Sequence, residues 1–161
     1  MYTIREYASS DRQAILDCIA ELQDYEKTLE DDRLPGPAIA EKHLAYLLGQ
    51  CEVKMGRIVV GLVEDRLTGY VCAWLETDFG EHFVPSGLTG YISDLVVRPE
   101  VRGGGLGRAL LEAAERYLRD RGATSLSLYT LARNSRARAF YAAAGYRDYE
   151  IVMIKQGKQR S

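Results

Sequence analysis

Histidine and cysteine are scarce in this chain, and their scarcity closes off several chemistries. There are two histidines, His43 and His82, and three cysteines, Cys18, Cys51 and Cys72, widely spaced and without a CxxC pair. Zinc and catalytic-thiol frameworks need denser, regularly spaced donors, so no metal is expected. The opening MYTIREYASSDRQ carries charges where a signal peptide needs an apolar run, which points to a cytoplasmic, reducing setting. No run of 18 apolar residues follows, so no membrane partner is expected. Repeats and low-complexity segments are lacking too. A length of 161 residues is read as one domain over 1–156 with a loose tail at 157–161.

What is present is polarised along the chain. Residues 1–50 carry 10 acids and 5 bases, and residues 51–97 carry 7 acids and 3 bases. Residues 98–147 carry 10 arginines against 4 acids. An acidic first part beside a basic second part suits a cationic substrate on one side and an anionic cofactor on the other. Solvation of helix faces accounts for the same charges equally well. The basic stretch is interrupted by acids, which argues against a nucleic-acid partner.

Periodicity gives the element order. Residues 2–7 read as a strand, and Ser9-Ser10-Asp11 cap a helix carrying Ile15, Cys18, Ile19 and Leu22. A proline-rich loop at 31–37 precedes a second helix over 38–48, with Ile39, His43, Leu44 and Leu47 on one side and Gly49 as its stop. Residues 57–64 and 68–77 form a hairpin turning at Asp65-Arg66-Leu67, and 90–97 is a further strand. A helix from about Leu106 ends at Gly122, followed by a strand over 125–131. A helix capped by Asn134 runs to Ala144, and 151–155 is a last strand. The crossover from 90–97 to 125–131 has the length of a parallel connection. The fold class is therefore α/β (α+β), with a mixed, mostly antiparallel twisted sheet flanked by helices.

The stretch Val96–Leu110, VVRPEVRGGGLGRAL, is the densest in signal. Gly103, Gly104, Gly105 and Gly107 let backbone N–H groups approach a ligand at the start of a helix, an anion-binding arrangement. Arg102 and Arg108 flank it. No GxxxxGK[ST] follows, so a nucleoside-triphosphate loop is excluded, and the G-x-G-x-x-G spacing fails at Arg108 and Leu110. A ligand-free turn is the remaining alternative.

The pattern R-x-x-G-x-G is met by Arg102, Gly105 and Gly107, and N-x-x-A-x-x-F-Y-x-x-x-G-Y by Asn134, Ala137, Phe140, Tyr141, Gly145 and Tyr146. With these two motifs the chain resembles the GNAT family of acyl-CoA-dependent N-acetyltransferases. The resemblance implies a splayed parallel strand pair and acetyl-CoA as co-substrate. It implies pantetheine bonded to backbone at Leu95 and Val97, and pyrophosphate on the N–H groups from Gly103 through Leu106 to Arg108. It also implies Tyr141 as the acid that protonates the leaving thiolate, with Asn134 near the pantetheine. Core packing and helix capping are the alternative roles of those last two residues.

A primary amine with a pKa near 10.4 costs about 4–5 kcal/mol to deprotonate at neutral pH, so a base or a water chain is expected. A backbone N–H near Val96 or Val97 would hold the oxyanion. Many family members place a glutamate where this chain has Ser93. Asp94 is the adjacent carboxylate, turned to the other face by strand alternation unless the strand is bulged. It is taken as the catalytic candidate, with a buried structural role as its alternative. Glu26, Glu76, Asp78 and His82 are further candidates. Acidic and aromatic residues in the first half fit a small cationic amine or amino-acid-like acceptor. A non-catalytic acyl-CoA-binding module, or transfer of another acyl group, stays open, and a homodimer is plausible from the family.

Overall fold

Alternating apolar residues in the first two-thirds of the chain build one sheet with helices against it. The computed structural model describes residues 1–77 and 87–157, in two compact units, Met1–Tyr129 and Thr130–Ser161. In the first unit, β1 (Tyr2–Glu6), β2 (Arg57–Val63), β3 (Arg66–Glu76), β4 (Leu88–Val97) and β5 (Ala123–Leu128) lie side by side in chain order. The first four run antiparallel to their neighbours, whereas β4 and β5 are parallel.

Two helices, α1 (Arg12–Leu29) and α2 (Gly36–Val53), cover one face. Strand alternation explains what they cover: Tyr70, Cys72 and Trp74 of β3 join Ile15, Ile19, Leu44 and Leu47 in one buried cluster. The opposite face takes α3 (Leu106–Asp120), whose Leu106, Leu110, Leu111, Ala114 and Leu118 are buried at helical spacing. Close approach is possible there because β2 has a glycine, Gly61, where a Cβ would sit 2.5 Å from a Leu106 methyl. Fully burying a leucine of this kind stabilises by about 1.5–3 kcal/mol, so each face carries several such contributions.

Several boundaries differ from expectation, among them β5, which occupies Ala123–Leu128 in place of the expected 125–131. Helix α2 continues through Gly49 to Val53, because a mid-helix glycine costs only about 1 kcal/mol and the buried Leu44 and Leu47 hold the helix down. The hairpin turns at Glu64 and Asp65, both with positive φ (50° and 58°), the geometry of a tight two-residue loop matched to strand twist. Residues 151–155 form no strand: Ile151, Val152, Met153 and Ile154 are exposed. Their pattern is strand-like, but a strand is stable only as a partner in a ladder. The second unit holds α4 (Ser135–Ala143). No described helix is long and apolar enough to cross a membrane.

Candidate active site

The site begins with one extra residue in β4. Cys72 pairs with Asp94 but Ala73 pairs with Ile92, so Ser93 is left over as a β-bulge. The bulge resets alternation. Tyr91, Asp94 and Val96 all face the α1–α2 side, where regular pleating would have placed Tyr91 opposite to the other two. The condition on which Asp94 depended in the sequence is thus met in the structure.

Asp94 is 7% exposed and its carboxylate is crowded with donors. Tyr70 donates its hydroxyl to Oδ2 at 2.7 Å. Ser93 donates its hydroxyl to Oδ1 at 2.8 Å. His43 of α2 brings Nε2 to 2.8 Å from Oδ2. Burial alone would raise the carboxyl pKa, but the hydrogen bond and charge of His43, with the two hydroxyls, outweigh it and hold Asp94 below the usual carboxylate range. The His43 pKa is raised by the hydrogen bond to Asp94, against burial, with the negative charges of Asp94 and Glu26 adding to it. Burial, then the charge of Asp94, lifts the Tyr70 phenol far above its ordinary value. The same two causes push Tyr91 up to about 12.

Around this cluster the α1–α2 side is acidic and aromatic. Glu26 of α1 has its pKa raised by burial first, with Arg33 opposing and Asp94 adding; Arg33 sits 3.4 Å from its carboxylate. The His43 ring stacks on Tyr46 at 6.1 Å, and Tyr46, Trp74, Tyr91 and Tyr129 continue as successive ring contacts. Glu76 accepts from both Lys54 Nζ (2.6 Å) and the Trp74 indole N–H (2.8 Å). Both donors meet the same oxygen, Oε1. Asp78 and His82 lie outside the described residues.

The sequence placed His43 on the apolar side of its helix and gave it no chemical role. Its partner is 51 residues away on another element. The available signal was a polar ring interrupting the Ile39–Leu44–Leu47 stripe. Tyr70 was missed for the same reason: its hydroxyl is needed only because a carboxylate lies across the strand pair.

Beyond the bulge, β4 loses its second neighbour. Pairing with β5 ends at Ile92–Leu128, so Ser93 to Val97, including Leu95, Val96 and Val97, has no β5 partner on that edge. The chain then turns through 99–101 into the glycine loop. Gly103 and Gly105 take φ of 83° and 86°, left-handed values that other residues adopt at a cost. Gly105 caps α3 without any side-chain hydrogen bond, so the N–H groups of Gly105, Leu106, Gly107 and Arg108 have no intrahelical acceptor. A Cβ at Gly103 would meet nothing within 4 Å, and at Gly104 nothing closer than 3.5 Å. These open donors at a helix N-terminus fit a diphosphate. Arg102 donates from Nε to the Val97 carbonyl at 2.8 Å, tying the loop to the strand end. Arg108 is half-committed, its Nε 2.9 Å from Glu112 one turn on.

In the second unit the Asn134 side chain accepts from the Ala137 N–H at 3.1 Å, the capping bond of α4. Tyr141 meets Phe140 and Tyr146 edge-on, with ring centroids 5.2 and 5.8 Å away. The helix closes at Gly145, with φ of 95°.

The chain is 46% identical over 87 residues to a mycothiol acetyltransferase of Beutenbergia cavernae, a match covering 53% of this chain and 27% of that protein. The chain thus spans about a quarter of that relative's length. It is 28% identical over 150 residues, 92% of this chain and 80% of the relative, to an uncharacterized N-acetyltransferase of Methanocaldococcus jannaschii. A point variant of the BH1408 protein of Bacillus halodurans superposes with a TM-score of 0.82 at 25% identity, covering 96% of this chain and 98% of that one. The family model described as acetyltransferase (GNAT) family matches residues 20–146. The chain belongs to the GNAT acetyltransferase family, a family of acyltransferases.

Proposed function

We propose that the protein transfers an acetyl group from acetyl-CoA to the primary amine of a small cationic or amino-acid-like acceptor, by direct attack in a ternary complex. The observation that carries this reading is the end of β4–β5 pairing at Ile92, directly followed in chain by an uncapped helix N-terminus behind Gly103–Gly107. Strand edge and loop together offer a row of backbone groups to an extended, diphosphate-bearing molecule. Leu95, Val96 and Val97 would hold its amide portion. Gly103, Gly104, Gly105, Leu106, Gly107 and Arg108 would hold its phosphates through N–H groups, with Arg102 and Arg108 adding charge. When bound, acetyl-CoA supplies an acetyl group activated as a thioester.

The chain's own residues would do the rest. A backbone N–H near Val96 or Val97 stabilises the oxygen that becomes negative, where a buried donor is worth most. Tyr141 is assigned the proton that the departing sulfur needs, on the strength of its place in the Asn134–Tyr146 motif, and Asn134 the positioning of the same segment. Asp94 anchors the proton-accepting side. Glu26 and Tyr46 on that side favour a cationic amine. Residues 1–156 would act as one catalytic domain.

The test is a calorimetric titration with CoA followed by an amine panel with acetyl-CoA, read by thiol release. Binding plus turnover of cationic amines is expected, with Tyr141→Phe slowing release at unchanged CoA affinity. Tight CoA binding with no turnover of any amine would instead identify an acyl-CoA-binding module, and turnover of anionic acceptors alone would overturn the acceptor class.

A further inference from the structure

The carboxylate of Asp94 is poorly placed to touch a substrate. Its side chain is 5% exposed, and its two oxygens already accept from three side chains. His43 differs: 32% of its side chain is exposed, and one nitrogen alone is taken up by Asp94. A neutral imidazole that donates from Nε2 to a carboxylate carries its lone pair on Nδ1. The carboxylate fixes that tautomer and stabilises the imidazolium that forms when Nδ1 takes a proton, the same division of labour as in a carboxylate–histidine catalytic pair. We propose that His43 is the general base of the acetyl transfer, accepting the amine proton at Nδ1, and that Asp94 is the buried positioning residue behind it. This rests on the acetyl-transfer reading above.

The surroundings are those of a base that works on a cation. Asp94 and Ser93 face His43 from β4, Tyr70 from β3, and Glu26, paired with Arg33, from the α1 side. Tyr46 stacks on the ring from α2 itself. The hydrogen bond to Asp94, with the charges of Asp94 and Glu26, favours the protonated ring and moves its pKa upward toward that of the amine it serves. For a free amine and an acetyl thioester the step balances as follows. The nitrogen lone pair forms the C–N bond, the C–S pair leaves on sulfur, the N–H proton goes to His43, and the sulfur gains one proton from the assigned donor. His43 then returns its proton to solvent or donor, and the products are amide and thiol.

Two measurements separate this proposal from the reading beneath it. The chain has two histidines, so NMR titration of the imidazoles with a His82→Gln variant for assignment gives the His43 pKa directly. It is expected above the ordinary value near 6.5 and should fall in Asp94→Asn. A value at or below 6.5, or no response to Asp94→Asn, overturns the pair. In the second measurement the acidic limb of kcat/KM should sit at the NMR value. His43→Gln should remove that limb and lower kcat by about 100- to 10,000-fold, with CoA affinity and circular dichroism unchanged. Added imidazole should partly restore His43→Gly. Wild-type kcat in His43→Gln with the limb intact sinks the base alone. Wild type that binds CoA and acetylates no amine sinks the acetyl-transfer reading and the base with it, even where the titration still shows the ion pair.

Discussion

The two faces of this sheet are built by opposite means. Under α3 the packing is apolar throughout, and the functional groups at that helix's start are backbone N–H groups exposed by glycine. Under α1 and α2 the core admits a carboxylate, an imidazole and a phenol, which satisfy one another across three elements. Backbone sites are cheap to encode because four or five neighbouring residues suffice. Side-chain sites need elements far apart in sequence to converge, and a buried charge there must be fully bonded or it costs several kcal/mol. On the proposed function the division would also separate tasks, one face serving an anion and the other a cation.

If the division is functional, variants on one face leave the other's property alone. The largest effect is expected from Asp94→Asn: turnover with an amine falls about 100- to 10,000-fold, while the CoA dissociation constant by calorimetry stays within twofold. A parallel loss of CoA affinity would break the comparison. Next is Leu110→Ala, at a fully buried position under α3; urea unfolding should register a loss of about 2–5 kcal/mol. Gly105→Val forces a β-branched residue to φ of 86°, straining the loop by about 1–2 kcal/mol. CoA binding should weaken about tenfold or more, with the His43 titration unmoved.

The pH dependence sharpens the comparison further. His43 has a raised pKa, so its contribution to stability is complete below its unfolded value near 6.5 and is lost as pH rises through the folded value. Asp94 has a lowered pKa, so its contribution is present above its unfolded value near 3.9 and is lost as pH falls through the folded one. Thermal melts of wild type and His43→Gln should therefore differ most in mildly acidic buffer and converge toward alkaline pH. The smallest effect is Arg108→Ala. Its pair with Glu112 is exposed and worth about 0.3–0.5 kcal/mol, so melting barely changes and CoA affinity falls only a few-fold.

Legibility in the sequence followed the same divide. The glycine loop, the Asn134 cap and the Gly145 stop are local signals, and each sits where its residue type predicted. The parallel pairing of β4 with β5 followed from crossover length. His43 and Tyr70 carried no comparable signal, since each becomes chemical only through Asp94. Gly49 misled because punctuation by glycine is weak where buried leucines on the same helix outvote it. Residues 151–155 misled because alternation describes a strand's faces and says nothing about whether the segment pairs.

The single surplus residue at Ser93 has a consequence for how such a site is inherited. Because side chains alternate with period two, Tyr91 and Asp94 share a side only because the bulge absorbs one of the residues between them. Loss of the Ser93 codon would give a regular ladder with Ile92 beside Asp94, leaving Tyr91 and Asp94 on one side but removing the hydroxyl that Asp94 accepts at Oδ1. A chain shortened by that one residue would therefore be expected to keep the histidine–aspartate pair, with one fewer donor on the carboxylate.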